Sequence, residues 1–320
     1  ASYDGRNKEP ETLPVKFPLL LSLGVEGIAV GLATKILPHN FNELIDASIQ
    51  ILRGKKATIF PDFITGGIAD FSDYKDGLRG GKVKIRARIK ELNSKTLIIS
   101  EIPFGTTTGS LIDSIISAND KGKIKVKKVE DNTSENVEIL IHLQPGISPD
   151  KTIDALYAFT NCEMSISPNA CIIEAEKPRF VGVSETLKTS THQTLALLKR
   201  ELEIEQFELE EKWHFLSLEK IFIKEEMYID FKKYSNKETL FDYLYERFKP
   251  HKKKLIRDIS DEDLTRLTQI PMIRITRFDS IKAEEHMKDL DEKIAIVKNH
   301  LINLIDYAVE YFKNLKKKYG

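Results

Sequence analysis

The sequence predicts an α+β fold: a mixed domain of helices and strands, followed by a long antiparallel coiled coil that carries a small helical head. Three observations predict it. Short strand and helix patterns alternate up to about residue 185, with frequent turns. Glycine and proline then become rare, and Pro250 and Pro271 are the only prolines from Ser184 onward. Near the end of the chain, apolar residues recur in alternating steps of four and three.

Three helices are predicted in the first half, because apolar residues recur there at helical spacing. We expect Asn42 to cap the first helix, and Ser110 or Thr108 to cap the second. The three ranges are 41–54, 110–123 and 150–160.

Between these helices, β-branched residues alternate with polar ones, a pattern typical of strands. The predicted strands are 82–90, 95–101, 123–129 and 137–143, with an irregular strand at 162–175.

The second half is charged and periodic, which predicts long helices. One apolar stripe consists of Leu195, Leu198, Leu202, Leu209, Leu216 and Ile223. An unbroken run at heptad a and d positions consists of Leu290, Ile294, Val297, Leu301, Leu304, Ala308, Tyr311 and Leu315. Between them, Ser260 and Asp263 have the spacing of a capping box.

These patterns divide the chain into four segments. We expect the mixed domain at 1–185, an outgoing helix at 186–230, the helical head at 231–283 and a returning helix at 284–320. A compact helical bundle with the same stripes is the alternative for the second half.

Composition limits the classes of function. Lys and Arg together number 49, as do Asp and Glu, so nucleic-acid binding must come from local patches and not from net charge. Cys162 and Cys171 match neither a metal-ligand spacing nor a disulfide framework, which favours a reduced, cytosolic protein. The sequence contains no membrane-spanning run and no signal peptide. Because it opens without Met, we expect a piece of a longer protein.

The sequence by itself does not identify an active site. The seven His residues are scattered, and no GxxxxGK[ST] nucleotide loop is present. His39 is best interpreted as a hydrogen-bonding residue of a loop. The stretch "VEGIAVGLATKILPHN" (25–40) is compatible with a buried strand or a ligand contact, whereas a phosphate loop would need a Lys-Ser/Thr pair after the glycines.

Two basic runs are the most informative polar features. In the first, cations alternate with apolar residues, so a strand would place all of its cations on one face, about 6.6 Å apart. The second repeats the pattern. Such faces favour contact with the phosphates of a duplex, while an ordinary solvated sheet face is the alternative. The cations are Lys82, Lys84, Arg86, Arg88 and Lys90 in the first run, and Lys121, Lys123, Lys125 and Lys127 in the second.

Several motifs occur together in the first half. They are "YDG" (3–5), "LPVKFPLLLSLGVEGIAVGLATKILPHN" (13–40), "PDFITGG" (61–67), "EIPF" (101–104) and "LYAFTNCEMSISPN" (156–169). In this order they closely resemble the breakage-reunion subunit, or A subunit, of the bacterial type IIA DNA topoisomerases, gyrase and topoisomerase IV. Leu19, Leu23 and Leu37 depart from the residues common in the family, but none of them replaces a charged catalytic group.

The resemblance implies that this piece is inactive in DNA cleavage. The family's cleaving tyrosine lies in a winged-helix domain upstream of the YDG motif, so Tyr3 is not the nucleophile and no catalytic residue is expected here. The full enzyme performs a reversible, tyrosine-mediated transesterification coupled to ATP use. No cofactor is expected in this chain, because Mg²⁺ and ATP belong to the partner ATPase/toprim subunit.

The resemblance also implies roles for particular residues. Ile28 would insert between base pairs of the gate duplex and help to bend it, on a loop that Gly27 and Gly31 allow to approach DNA closely. The basic runs would hold the arms of the bent duplex in a tower-like domain, so charge reversal at Arg86 and Arg88 should weaken DNA binding and flatten its salt dependence.

The expected partners follow from the same resemblance. They are double-stranded DNA, a second copy bound through the helical head as an exit gate, and a B subunit in an A2B2 heterotetramer. We expect a cytoplasmic, chromosome-associated protein. Gyrase and topoisomerase IV are not distinguished. The alternative is a non-enzymatic coiled-coil DNA-binding protein of the chromosome-organising kind.

Overall fold

A computed structural model describes residues 2–10, 13–174, 176–276 and 278–320. The chain forms two compact units. Unit 1 comprises Ala1–Thr194 and Val309–Gly320, and unit 2 comprises Leu195–Ala308. Within the described ranges, no helix combines the length and the apolar composition needed to cross a lipid bilayer.

Helices and short strands alternate through the first half of the chain, and the second half is helical. The strands are β1 Val25–Ala29, β2 Leu32–Ile36, β3 Ile68–Asp70, β4 Val83–Arg86, β5 Arg88–Asn93, β6 Thr96–Glu101, β7 Val126–Asp131, β8 Ile139–Leu143, β9 Glu163–Ile166, β10 Cys171–Glu174 and β11 Lys177–Phe180. The helices are α1 Leu19–Leu23, α2 Phe41–Leu52, α3 Thr108–Asp120, α4 Pro149–Phe159, α5 Val183–Lys224, α6 Lys237–Phe248, α7 Asp261–Thr268, α8 Met272–Thr276, α9 Ser280–Ile302 and α10 Leu304–Tyr319.

The strands form small antiparallel sheets. Two are hairpins, β1-β2 and β10-β11, and the others have the orders β3-β4-β9 and β5-β6-β8-β7. The mixed α and β character predicted for the first half is therefore confirmed. One core packs behind β4, where Val83 and Ile85 are buried, and a second packs behind the four-stranded sheet, around Leu97 and Ile141.

The predicted strand 82–90 is wrong as a single strand, because it divides at Ala87. Its first part, β4, belongs to the three-stranded sheet, and its second part, β5, belongs to the four-stranded one. Ala87 is buried, its amide donates to the carbonyl of Cys162 at 2.8 Å, and its own carbonyl accepts from the Tyr157 hydroxyl at 2.9 Å. The bond to Cys162 continues the pairing of β4 with β9, and from Arg88 onward the chain pairs with β6, so it changes sheets at Ala87.

The predicted helix caps are displaced by a few residues. Asn40, not Asn42, caps α2, since its side chain accepts from the amides of Asn42 and Glu43. Thr107 caps α3, and Ser110 and Thr108 lie inside the helix. In each case the capping residue has extended backbone angles, as an N-cap requires. The second basic run is also displaced, because β7 begins at Val126 and Lys121, Lys123 and Lys125 precede it.

In unit 2, α5 and α9 pack against each other through Leu202 and Leu209 on one helix and Leu290, Ile294 and Val297 on the other. Ion pairs join Glu210 to Lys298 at 2.9 Å and Lys220 to Glu284 at 2.7 Å. Since the residue numbers rise on one helix as they fall on the other, the two helices run antiparallel.

The predicted coiled coil is not confirmed. The a/d run is not carried by one continuous helix, since α9 ends at Ile302 and α10 begins at Leu304. Asn303 between them has φ −105° and ψ 45°, outside the helical region. The four-segment division of the chain stays a prediction.

A partly buried ionic cluster in unit 2 joins α5 to the start of α7 and the segment before it. Arg257 donates to both carboxylate oxygens of Glu211 at 2.7 and 2.8 Å and to both of Asp263 at 2.6 and 3.0 Å. Asp263 also forms the predicted capping box with Ser260, which is thereby confirmed. His214 is buried beside this cluster, with its Nε2 3.6 Å from Asp263. The carboxylate of Asp263 is 2% exposed, so its charge depends on these partners.

Candidate nucleic-acid interface

The stretch 25–40 contains a hairpin that presents apolar side chains to solvent. β1 pairs with β2 so that Ala29 lies opposite Leu32, which leaves Val30 and Gly31 as the turn. Gly31 has φ +76°, a conformation that glycine adopts without strain. Near this tip Ile28 is 89% exposed and Val30 is fully exposed. Ile28 is therefore not a core residue of a short strand.

The hairpin is held at its base by the loop before β10. Lys35 and Asn169 exchange two backbone hydrogen bonds, and the Asn169 side chain donates to the carbonyl of Ala33 at 2.6 Å. Across the hairpin, Lys35 pairs with Glu26 at 3.0 Å. The exposed tip therefore stands on a braced base.

Gly24 and Gly27, two glycines of the hairpin region, differ in the space that a side chain would have. A Cβ at Gly24 would lie 2.7 Å from the carbonyl oxygen of Ile36, so only glycine fits there. A Cβ at Gly27 would make an ordinary contact of 3.9 Å with Thr34. Nothing within the described chain requires a glycine at position 27.

The first basic run does not form a uniform cationic face. Arg86 pairs with Glu163 at 2.6 Å, and Arg88 pairs with Glu101 at 2.8 Å. These acids lie opposite the arginines on neighbouring strands. The hydrogen bond from Arg88 lowers the pKa of Glu101, and the amide of Gly67 lowers it further, so this carboxylate is charged at neutral pH.

The lysines of the first run are different. Lys82, Lys84 and Lys90 are exposed, and within the described residues they form no ion pair. They are the charges of this run that can meet a phosphate without breaking an existing pair.

The second run lies elsewhere on unit 1. Lys121, Lys123, Lys125 and Lys127 are all exposed, and Lys123 lies over the ring of Phe159 at 5.6 Å. β5 and β7 are at opposite edges of their four-stranded sheet. Three strand spacings separate these edges, which is about 14 Å. The fold therefore does not bring the two runs together on adjacent strands.

His39 lies in a loop between β2 and α2, as the sequence predicted. It is buried, and its Nδ1 lies 3.2 Å from the carbonyl oxygen of Leu21. Burial lowers its pKa, against smaller opposing effects of the backbone carbonyls and of Asp76 and Asp62. The interpretation of His39 as a hydrogen-bonding residue is confirmed.

The sequence model that describes the A subunits of DNA gyrase and topoisomerase IV matches residues 1–313. The chain belongs to this family. The A subunit of DNA topoisomerase 4 from Borreliella burgdorferi is 38% identical over 320 residues, which cover 100% of this chain and 51% of that relative. The A subunit of DNA gyrase from Chlamydia muridarum is 28% identical over 317 residues, covering 92% of this chain and 37% of that relative.

These comparisons confirm the resemblance that the motifs of the first half predicted. The relatives are A subunits of type IIA topoisomerases, so the alternative of a chromosome-organising coiled-coil protein is not favoured. The chain spans about half the length, or less, of these curated relatives.

The sequence did not predict three features of the surface around the hairpin in this member of the gyrase/topoisomerase IV family. Val30 shares the exposed tip with Ile28, and Gly24 is sterically required at the base of the hairpin. Arg79 is exposed beside the hairpin, in a loop before the basic run. A glycine-rich turn, "RGGK" (79–82), was the only signal for Arg79, and it does not show which surface the loop joins.

Proposed function

We propose that this chain is the part of a type IIA topoisomerase that holds and bends the DNA duplex to be cut. The observation that carries the proposal is the exposed Ile28, mounted on a braced hairpin in a chain of this family. An apolar side chain this exposed has no packing role within unit 1. Its exposure instead fits a contact with another molecule.

The wedge mechanism follows from the physical chemistry of stacked bases. An apolar side chain inserted at a base step partly unstacks it, at a free-energy cost of a few kcal/mol, and the resulting bend brings more DNA against the protein. We assign insertion to Ile28. Gly31 shapes the turn, and the missing side chain at Gly27 lets the backbone approach the duplex.

Phosphate contacts would offset the cost of bending and carry no sequence information. In our proposal the unpaired lysines make these contacts, together with Lys121, Lys123, Lys125 and Lys127 of the second run. Arg86 pairs with Glu163 inside the three-stranded sheet, and Arg88 pairs with Glu101 inside the four-stranded sheet. In our proposal both arginines contact a phosphate while they keep these ion pairs. Charge reversal at either arginine would place two like charges together, so the lysines give the sharper test.

The double variant K82Q/K84Q tests the phosphate contacts. Each contact to duplex DNA contributes about 0.9 to the slope of log K against log salt concentration, so the slope should become shallower by up to about 1.8. The measurement is fluorescence anisotropy with a labelled duplex at several salt concentrations. K55Q/K56Q is the matched control, because those lysines are also exposed and make no ion pair within the described chain. Equal slopes for the two double variants would contradict the assignment.

The head of unit 2 is the proposed dimerisation surface. The aromatic residues of 240–248 offer little surface for a contact with a second copy, since Phe241 and Phe248 are buried in the core. Met272, Ile273 and Ile281 are exposed instead. We propose that they meet a second copy across a two-fold axis, forming the gate through which the second duplex leaves.

Sedimentation velocity tests the dimer. The wild-type chain should sediment as a dimer at micromolar concentration, and M272E/I273E should be a monomer because charge enters the apolar contact. Ile302 is also exposed, so I302E is the control and should stay dimeric. A monomeric wild-type chain, or a dimeric M272E/I273E variant, would contradict the proposed surface.

The remaining activities of the enzyme are assigned to other parts of the assembly. We propose that the cleaving tyrosine belongs to a winged-helix domain of the full-length protein, and that Mg²⁺ and ATP are bound by a B subunit in an A2B2 tetramer. The enzyme would act on the chromosome in the cytoplasm. The higher identity to the topoisomerase 4 relative favours the topoisomerase IV type.

A further inference from the structure

A groove of about 530 Å³ lies directly beside the tip of the hairpin. Its lining includes Ala29, Gly31 and Leu32 of the hairpin, together with Arg79 and Gly80 of a neighbouring loop. This volume falls within the range of about 300–1,000 Å³ that is usual for sites that hold a small molecule. The groove is therefore large enough for one nucleotide of a DNA strand, and it begins at Ala29, the residue after Ile28.

The loop that carries Arg79 is anchored at both ends. Asp76 accepts hydrogen bonds from the amide of Ser184, at 3.1 Å, and from its hydroxyl, at 2.8 Å. The carbonyl of Gly77 accepts from the amide of Ala170 at 3.0 Å, and the amide of Lys82 donates to the carbonyl of Asp73 at 2.8 Å. These bonds tie the loop to the N-terminus of α5 and to the segment that braces the hairpin.

Two further features hold the same loop. Asp76 has φ +55°, a left-handed conformation that needs support from its surroundings. A Cβ at Gly81 would lie 2.3 Å from the carbonyl oxygen of Tyr74, so the chain can pass there only as glycine. The backbone on either side of Arg79 is therefore fixed by contacts that do not involve Arg79.

Arg79 itself has no such contacts. Its side chain is exposed, and within the described chain it takes part in no hydrogen bond or ion pair. It differs in this from Arg86 and Arg88, which are paired with carboxylates. An unpaired guanidinium on a fixed backbone suits a phosphate, because its planar fork can donate two parallel hydrogen bonds to phosphate oxygens.

We infer that Arg79 is a DNA contact of the wedge site. In this arrangement the groove receives the sugar-phosphate backbone beside the base step that Ile28 opens, and Arg79 binds a phosphate of that strand. The apolar wall at Ala29 and Leu32 would face the sugar. The inference rests on the proposed function, since it needs Ile28 to enter the duplex.

Equilibrium binding to a duplex with 2-aminopurine at its central step tests the inference. This base fluoresces more strongly when it is unstacked, so the titration reports affinity and base opening together. R79Q should bind about five- to tenfold more weakly than the wild type, with a salt slope shallower by about 0.9. R79K should recover the salt slope, because it keeps the charge. R53Q is the matched control, an exposed arginine at the end of α2, and should behave as the wild type.

A double-mutant cycle that combines R79Q with I28A tests whether Arg79 acts at the same base step as Ile28. If both side chains act on the same step, R79Q should weaken binding less in the I28A background than in the wild-type background. Purely additive effects, or an R79Q variant that binds like R53Q, would overturn the inference. If I28A loses the 2-aminopurine signal while R79Q changes nothing, the proposed function stands and the role of Arg79 alone fails. A wild-type chain with no signal at saturation would overturn both.

Discussion

Replacing Ile28 by alanine should abolish base unstacking and weaken duplex binding at least tenfold. Alanine is too short to separate two stacked bases, so the duplex stays unbent and loses the contacts that bending brings against the protein. The measurement is the fluorescence of 2-aminopurine at the central step during titration with protein. Because Ile28 is exposed, its truncation should change the free energy of unfolding by no more than about 0.5 kcal/mol.

Ile64 provides the matched control for this prediction. It is also an isoleucine of unit 1 and is fully exposed, but it lies in the loop of "PDFITGG" and not on the hairpin. I64A should retain the fluorescence change and the affinity of the wild type. Equal loss in I28A and I64A would mean that exposed apolar area in general, and not a wedge, accounts for binding.

Replacing Arg257 by alanine should destabilise unit 2 by about 3 kcal/mol, the low end of the range for breaking a buried ion pair, because Arg257 is itself partly exposed. The change leaves the buried carboxylate of Asp263 without its main partner. Urea unfolding followed by fluorescence measures it, since the single tryptophan, Trp213, packs against the core between α5 and α9. The surface pair of Lys252 and Asp258 is the control, and K252A should cost less than about 1 kcal/mol.

Acid provides a second readout of the same cluster. Burial raises the pKa of Asp263, but hydrogen bonds from Arg257 and Ser260 outweigh it and lower this pKa to about 2. A lowered pKa gives stability that is present above the unfolded value of about 3.9 and is lost as pH falls toward 2. This loss should be smaller in R257A. If R257A and K252A lose the same stability in urea and respond equally to acid, a structural role for the cluster is contradicted.

Local patterns predicted the elements well, because they depend on neighbouring residues. The three helices of the first half, the strands at 95–101 and 137–143, and the capping box at Ser260 all form close to their predicted places. The division at Ala87 was not predictable, because the alternation of cations and apolar residues continues through it. What divides the strand is a change of pairing partner, from β9, which is distant in sequence, to β6.

The candidate site was predicted only in part, because motifs reveal individual residues and do not reveal partners that are distant in sequence. Family motifs pointed to Ile28, and its exposure fits that role. The partners of the arginines were not visible, since Glu163 lies 77 residues from Arg86 and meets it only through sheet pairing. The end of α9 was missed because Leu301 and Leu304 keep the heptad spacing across Asn303, while the backbone there leaves the helix.

The most direct test of the central claim is the end-to-end distance of a bound duplex. A duplex of roughly 40 base pairs, with a donor and an acceptor dye at its two ends, is titrated with the wild-type chain and with I28A. If this chain bends gate DNA through Ile28, energy transfer should rise on saturation with the wild type and stay near the value of free DNA with I28A. Energy transfer that does not change when the wild type is fully bound, or that rises equally with I28A, would contradict the claim.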